Sequence, residues 1–302
     1  MNKLLVIGGS RFFGKSIIDY AIRKKLLKHK INKIYIIARK KFYEKKINYK
    51  YLKINFISKD FKNIKNIPKT EFIIYCLRSN SISRSHLYFK NFKKLISKFK
   101  KKPKILFTSS GAIYGTENKK IKQSENFKIN FKKINKLKGY KKNYGLEKAF
   151  IENKFKELGK SNFNVSIARC FNFVGKYILD SNQAIGDMIR DAINKPAIKL
   201  NTSINVYRGY MNSDDLINWL IVILKNSNKN CPVFNVGSDR EINLKLLGQK
   251  IARIFNKKLK SKNIKSAKID YYVPSITKAK KLLKLKISIN LNDSLNSFIK
   301  LQ

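Results

Sequence analysis

The chain has 302 residues, enough for one large core or two closely joined lobes, and its 43% hydrophobic and 12% aromatic content is that of a folded globular protein. It carries 68 Lys and Arg against 18 Asp and Glu, a formal net charge of +50 at pH 7. Two histidines, three widely separated cysteines (Cys76, Cys170, Cys231) and no Cys-x-x-Cys point away from a zinc site, a disulfide framework, a His-ligated metal enzyme and a Ser-His-Asp hydrolase. No apolar run approaches the ~20 residues of a membrane span. The start, MNKLLVIGG, passes straight from a short apolar stretch into a glycine turn, unlike a signal peptide. A soluble, cytoplasmic protein with no membrane contact is therefore expected.

The basic excess raises a second class of function, nucleic-acid binding through phosphate contacts. Most of that excess is lysine, spread from Lys3 to Lys300, with no basic arm and no aromatic RNA-binding signature. It reads as a lysine-, isoleucine- and asparagine-rich compositional bias. Such charge is an argument about nonspecific association, not fold, although it would attract a diphosphate substrate.

In chain order, residues 4–7 read as a short buried strand that enters Gly8-Gly9, and 14–27 as a helix. Further strands are expected over 34–38, 51–57, 72–77, 105–109 and 165–169, with helices over 84–99 and 144–158 between them. Strands alternating with helices imply an α/β fold with a doubly wound parallel sheet. Ligands in such sheets sit at the carboxyl ends of the strands. Gly8, Arg39, Arg78, Ser110 and Asn172 all follow strand ends and so gather on one rim. Beyond Phe171 the alternation weakens. Helices are expected over 184–194, 214–225, 244–255 and 275–285, and strands over 206–211 and 233–236. The expected organisation is a dinucleotide-binding domain over 1–170, with 203–235 returning to it, and a smaller substrate-binding lobe from 171–202 and 236–302.

Gly8-Gly9-Ser10-Arg11-Phe12-Phe13-Gly14 follows the first strand and opens a helix. Glycines there let the backbone approach a pyrophosphate, and the helix N-terminus supplies N–H donors and a positive dipole. Arg11 stands where the usual central glycine would be and places a cation near the adenosine end of a dinucleotide. The second strand ends Ala38-Arg39-Lys40, with no acid before Glu44. An acid there would bind the ribose 2′-hydroxyl of NAD, whereas an arginine suits the 2′-phosphate of NADP. NADP is thus favoured over NAD. Asp60, after the third strand, either contacts the adenine or caps a turn.

Tyr144 and Lys148, in YGLEK, stand at i and i+4 and share a helix face. A lysine ammonium beside a phenol favours the phenolate, and a phenol tuned that way exchanges a proton with an alcohol or sugar hydroxyl near neutral pH. Ser110, in TSSGAIYG, would hydrogen-bond the same oxygen. Glu147 reads as an exposed helical residue, His29 and His86 as exposed, and Asp187 and Asp191 as solvated. The stretch 119–142 is polar and very basic, and reads either as a substrate-facing segment or as a solvated loop.

The glycine turn, TSSGAIYG, YGLEK, ARCFNFVG, RGYMNSDDL, FNVGS and YVPSITKAKKLL occur in the order found in the extended short-chain dehydrogenase/reductase family, and together they span nearly the whole chain. The sequence resembles that family's NAD-dependent epimerases and dehydratases, which act on nucleotide sugars. The resemblance implies a Rossmann fold, Tyr144 as catalytic acid/base, Lys148 as its partner and a ribose ligand, and Ser110 as the residue that orients the reacting oxygen. It implies cofactor contacts at Gly8, Ser10, Arg11, Phe12, Phe13, Gly14, Arg39 and Asp60. It also implies Asn172 as a ligand of the substrate diphosphate, Arg208 as the arginine on the nucleotide phosphates, and structural roles for Arg169, Asp215 and Asn235. Relatives that dehydrate follow the serine or threonine with an Asp-Glu pair; Gly111-Ala112 stand in those places. What remains is reduction of a 4-keto group on an NDP-(6-deoxy)hexose or, as the alternative, 4-epimerisation by transient oxidation at C4. SSGAIYG is similar to the SSGAVYG of bacterial reductases that make deoxysugars, which favours reduction. Relatives often pair as homodimers through the helix that bears Tyr-x-x-x-Lys. Some plant organellar relatives with a similar glycine turn bind RNA, so a non-catalytic nucleic-acid-binding protein is the alternative of another class.

Overall fold

The computed structural model describes the chain except residues 1, 40–46, 50, 80, 116, 138, 182, 264–266 and 300–302; for 47–49 only the backbone is described. The first-half strands are β1 (Asn2–Ile7), β2 (Ile31–Ala38), β3 (Ile47–Tyr49), β4 (Leu52–Ser58), β5 (Phe72–Tyr75), β6 (Lys104–Ser110) and β7 (Asn164–Cys170). They are followed by β8 (Asn172–Val174), β9 (Ala197–Leu200), β10 (Asn205–Asn212), β11 (Val233–Val236), β12 (Glu241–Asn243), β13 (Lys258–Ser261) and β14 (Ile269–Tyr272). The helices are α1 (Phe12–Ile22), α2 (Ile82–Ile96), α3 (Phe131–Asn135), α4 (Tyr140–Lys160), α5 (Ala184–Asn194), α6 (Ser213–Lys225), α7 (Leu244–Ile254), α8 (Thr277–Leu283) and α9 (Leu291–Asn296).

The central sheet runs β11-β7-β6-β5-β1-β2-β4-β3. All its pairings are parallel except β3 with β4. The pleat explains why its strands read as continuous apolar runs. Leu4 and Val6 enter the core layer shared with α1 and α6, while Leu5 and Ile7 enter the opposite layer, shared with α2 and α4. Successive side chains point to opposite faces, so a strand covered by helices on both sides must be apolar at every position. This is a Rossmann-type doubly wound α/β sheet.

A second sheet, β12-β10-β14 with β8 on β10, and a short parallel pair, β9 with β13, belong to the last third of the chain. A separate apolar cluster from α5, α7, β9, β10 and α9 lies beneath them. β11 and α6 lie on the central sheet, and β10 lies in the second.

Several boundaries differ from the sequence reading. The first helix ends at Ile22, not near 27, because Lys24 turns left-handed at φ +61° and folds Leu26 inward to 1% exposure. The stretch 119–142 contains the short helix α3, and Gln123 bridges to Pro274.

Candidate active site

The parallel register brings the strand ends onto one rim, with Ile7 opposite Ile37 and Tyr75, and Ser110 opposite Cys170. Gly8 leaves β1 at φ +91°, and a β-carbon there would meet the Leu77 backbone nitrogen at 2.7 Å. A β-carbon on Gly14 would lie 1.8 Å from the Gly9 carbonyl oxygen. Both glycines are therefore required by close backbone approach. The half-buried Ser10 lies in the same turn. Arg11 is exposed at the N-cap of α1, its side chain makes no capping hydrogen bond, and the first turn of α1 holds no acid. The N-terminal N–H groups and dipole are thus left for an anion, which fits a dinucleotide pyrophosphate. The rings of Phe12 and Phe13 turn inward and pack on Phe173, at centroid distances of 6.1 and 5.9 Å. They anchor the turn to β8.

Arg39 is exposed beyond β2, and its carbonyl accepts from Ser58 Oγ at 3.3 Å. Asp60 caps the turn at 61–63 by accepting from the Lys62 N–H at 3.1 Å, and its other oxygen accepts from Tyr88 at 3.4 Å. Of the two roles open for Asp60, the cap is the one formed here.

Tyr144, Lys148 and Ser110 come together where α4 crosses the end of β6. The Ser110 hydroxyl is within hydrogen-bonding reach of the Tyr144 phenol and of a second phenol, Tyr272. Ser110 also accepts from the Ala112 N–H at 3.2 Å. Lys148 is buried and donates to the Thr108 carbonyl at 2.9 Å; an ammonium has three donors, so two remain. The expected electrostatics need correction. Desolvation of the Tyr144 hydroxyl pushes its pKa up to about 12, opposed by the Ser110 hydrogen bond and by the nearby Arg78 guanidinium. Burial lowers the Lys148 pKa, with Glu147 acting in the other direction. Among the described residues the cation nearest the Tyr144 ring is Arg78, whose guanidinium carbon lies 4.8 Å from the centroid, against 5.8 Å for Lys148 Nζ.

Two further expectations fail. Glu147 is not exposed: it is 4% accessible and accepts from the Ser79 N–H at 3.1 Å and the Ser85 hydroxyl at 2.6 Å. His29 is buried too, facing Asn218 at 3.2 Å, and burial followed by nearby lysines lowers its pKa to about 4. Asp187 is exposed as expected, but Asp191 is half-buried and accepts from the Lys199 N–H at 3.1 Å.

Asn172 opens β8, and its Nδ2 is buried with no hydrogen-bond partner among the described residues. Arg208 is committed to β14. It donates to Asp270 Oδ2 at 2.7 Å and to the Asp270 and Tyr207 carbonyls at 2.9 and 2.8 Å. Arg169, Asp215 and Asn235 are buried tethers. Arg169 forks onto Glu152 at 3.1 and 2.9 Å, Asp215 accepts the Ser288 and Ile289 N–H groups, and Asn235 joins Tyr114, Gln123 and Ser275. Tyr272 is the site residue that sequence reasoning missed. It opens the YVPSITKAKKLL motif on a four-residue strand, but nothing in that motif assigned it a site role, and only pairing of β14 with β10 carries it to Ser110. Arg78 and Glu147 were visible as residues, but their contacts were not.

The fold and this rim define a Rossmann-type α/β protein with a Ser-Tyr-Lys group at the sheet edge. The model of the NAD dependent epimerase/dehydratase family matches residues 4–237, and the chain belongs to that family. Similar solved structures include the dTDP-glucose 4,6-dehydratase of Bacillus anthracis in complex with NAD, at 14% identity and TM-score 0.77 over 99% of this chain and 96% of that one. The UDP-N-acetylglucosamine 4-epimerase of Bacillus cereus aligns at 18% identity and TM-score 0.74, over 100% and 96% of the two chains. The UDP-glucose 4-epimerase of Thermotoga maritima, solved with UDP-glucose, aligns at 16% identity and TM-score 0.71, over 99% and 97%. No curated protein sequence matches. Among the described residues no helix is long and apolar enough to cross a membrane, and no His/Cys/Asp/Glu group could hold a metal ion.

Proposed function

We propose that the protein is an NAD(P)-dependent oxidoreductase that reduces the 4-keto group of an NDP-(6-deoxy)hexose. The observation that carries this reading is the convergence of Tyr144, Ser110 and Lys148 beside a glycine turn shaped for a pyrophosphate. When bound, the nicotinamide supplies the hydride. Ser110 orients the sugar oxygen, Tyr144 delivers the proton to it, and the free donors of Lys148 hold the ribose. The exposed Arg11 and Arg39 favour NADP over NAD through the 2′-phosphate. The unpartnered Nδ2 of Asn172 supports its reading as a diphosphate ligand. Arg208 would join it after exchanging part of its contact with Asp270 for phosphate. The lobe from 171–202 and 236–302 would hold the sugar nucleotide, and a homodimer through α4 is part of the same reading.

Dehydration is disfavoured by space as well as by chemistry. A side chain on Gly111 would begin 2.6 Å from the Phe171 ring and 2.7 Å from the Tyr272 hydroxyl, so no carboxylate fits there. Epimerisation at C4 needs the same three residues and is the second reading, favoured by the 4-epimerases among the similar structures. The test offers NADH or NADPH with a dTDP- or CDP-4-keto-6-deoxyhexose. Stoichiometric release of oxidised cofactor supports the reductase. Tightly retained NAD and interconverted sugars with no net redox change point to the epimerase. Tight, salt-dependent RNA binding without cofactor binding would overturn both.

A further inference from the structure

Lys148 and its neighbour Glu147 leave α4 in different directions. Lys148 donates to the Thr108 carbonyl on β6 at 2.9 Å. Glu147 reaches the segment that joins β5 to α2. One of its carboxylate oxygens accepts from the Ser79 N–H at 3.1 Å and from the Ser85 hydroxyl at 2.6 Å, and the two serine hydroxyls lie 2.7 Å apart. All three residues are 4–5% exposed. A carboxylate taken out of water is retained only where donors satisfy it, so these groups hold one another. The start of the same segment is fixed to the glycine turn. The Cys76 N–H donates to the Ile7 carbonyl at the end of β1 at 2.8 Å. A β-carbon on Gly8 would lie 2.7 Å from the Leu77 nitrogen and 2.9 Å from the Cys76 carbonyl carbon, so loop and turn touch backbone to backbone.

We propose that Glu147 is a positioning residue: tied to Ser79 and Ser85, it registers the helix that carries Tyr144 and Lys148 against the loop that packs on the glycine turn. The inference rests on the reading above, in which Tyr144 is the proton carrier beside a bound dinucleotide, and Lys148 keeps its place next to Tyr144. Tyr144 stands three residues before Glu147, on the same face of α4. One anchor would leave the start of α4 free to roll about its axis. Two anchors on adjacent residues, one to β6 and one to the loop after β5, fix the roll and with it the aim of the Tyr144 phenol. The Arg169–Glu152 pair pins α4 further along, to β7, and does not reach that loop. Proton and hydride must meet on one carbonyl group, and a misplacement of about 1 Å costs on the order of 10²-fold in rate.

The test compares three variants. Glu147→Leu removes the acceptor at similar volume, Glu147→Gln keeps an acceptor oxygen without the charge, and Ser85→Ala removes one donor. In the protein without cofactor, amide exchange of residues 76–85, read by mass spectrometry, should quicken at least about tenfold in Glu147→Leu and stay within about threefold of wild type in Glu147→Gln. In single turnovers of NADPH with a dTDP-4-keto-6-deoxyhexose, well below the unfolding midpoint, the rate should fall about 10–100-fold in Glu147→Leu and several-fold in Ser85→Ala. Glu147→Gln should recover most of it. The dissociation constants of NADPH and of the sugar nucleotide should stay within about threefold throughout. Rate and binding lost together would make Glu147 merely structural and overturn the proposal. A wild-type rate in Glu147→Leu would overturn it too, as would a Glu147→Gln as slow as Glu147→Leu, since charge and not the tie would then matter. Should Glu147→Leu fail to fold, Ser85→Ala decides by the same criteria. A Tyr144→Phe enzyme that still turns over would sink the functional reading instead, and the exchange measurement would stand apart from it.

Discussion

Breaking the Arg169–Glu152 pair should cost far more than replacing it. The side chains are 4% and 0% exposed and meet in a forked contact at 3.1 and 2.9 Å. A third guanidinium bond, 2.7 Å, goes to the Tyr114 oxygen. Glu152 is on the helix that carries Tyr144 and Lys148, and Arg169 is the next-to-last residue of β7, so the pair clamps the catalytic helix to the sheet. Arg169→Met keeps the volume but leaves a fully buried carboxylate without its cation. Losing one partner of such a pair costs about 3–5 kcal/mol. For a chain of this size that is a fall in unfolding midpoint of roughly 5–8 °C. The double variant Arg169→Met/Glu152→Leu removes the stranded charge, and Tyr114 still donates to Asn235 Oδ1 at 3.0 Å. It should recover to within about 1–2 kcal/mol of wild type. Thermal and urea unfolding, followed by circular dichroism and by the fluorescence of the single, fully buried Trp219, measure all three proteins. A single variant within about 1 kcal/mol of wild type, or a double variant no more stable than the single, would refute the reasoning.

Other perturbations have equally definite outcomes. Gly14→Ala drives a β-carbon to 1.8 Å from the Gly9 oxygen; the turn must open, and NADPH affinity measured by fluorescence quenching should weaken at least about tenfold, ~1.4 kcal/mol. Gly111→Ala should displace Tyr272 from Ser110 and destabilise the fold by about 1–3 kcal/mol in chemical denaturation. The His29 pKa is lowered from 6.5 to about 4 on folding. The unfolded chain therefore binds the extra proton between those values, and stability should fall as pH drops from 6.5 to 4, by up to roughly 3 kcal/mol. His29→Gln should flatten that part of the pH–stability curve; an unchanged slope would mean that His29 is not its source.

The sequence carried the parallel sheet because strands covered on both faces must be apolar throughout, as residues 4–7 and 105–107 are. It carried Gly8 and Gly14 because backbone contact tolerates nothing larger. It could not carry the second sheet. β8, β12 and β14 are three or four residues long, and their existence depends on pairing with β10 across long stretches of chain. Glu147 and His29 looked exposed for a related reason: a polar side chain is buried where partners from another element satisfy it, and those partners are distant in sequence. The electrostatics at Tyr144 failed on the same ground. Spacing puts Lys148 on its face of the helix, but the fold turns that ammonium to Thr108 and brings Arg78 closer.

The most direct test is single-turnover oxidation of NADPH, followed at 340 nm, on an NDP-4-keto-6-deoxyhexose by wild type and Tyr144→Phe. The rate should fall by about 10²–10⁴-fold, the usual contribution of a positioned acid, while the cofactor dissociation constant stays within about twofold. A variant that keeps the wild-type rate, or a wild-type protein that binds neither NADPH nor NADH, would contradict the assignment of Tyr144 as the proton carrier.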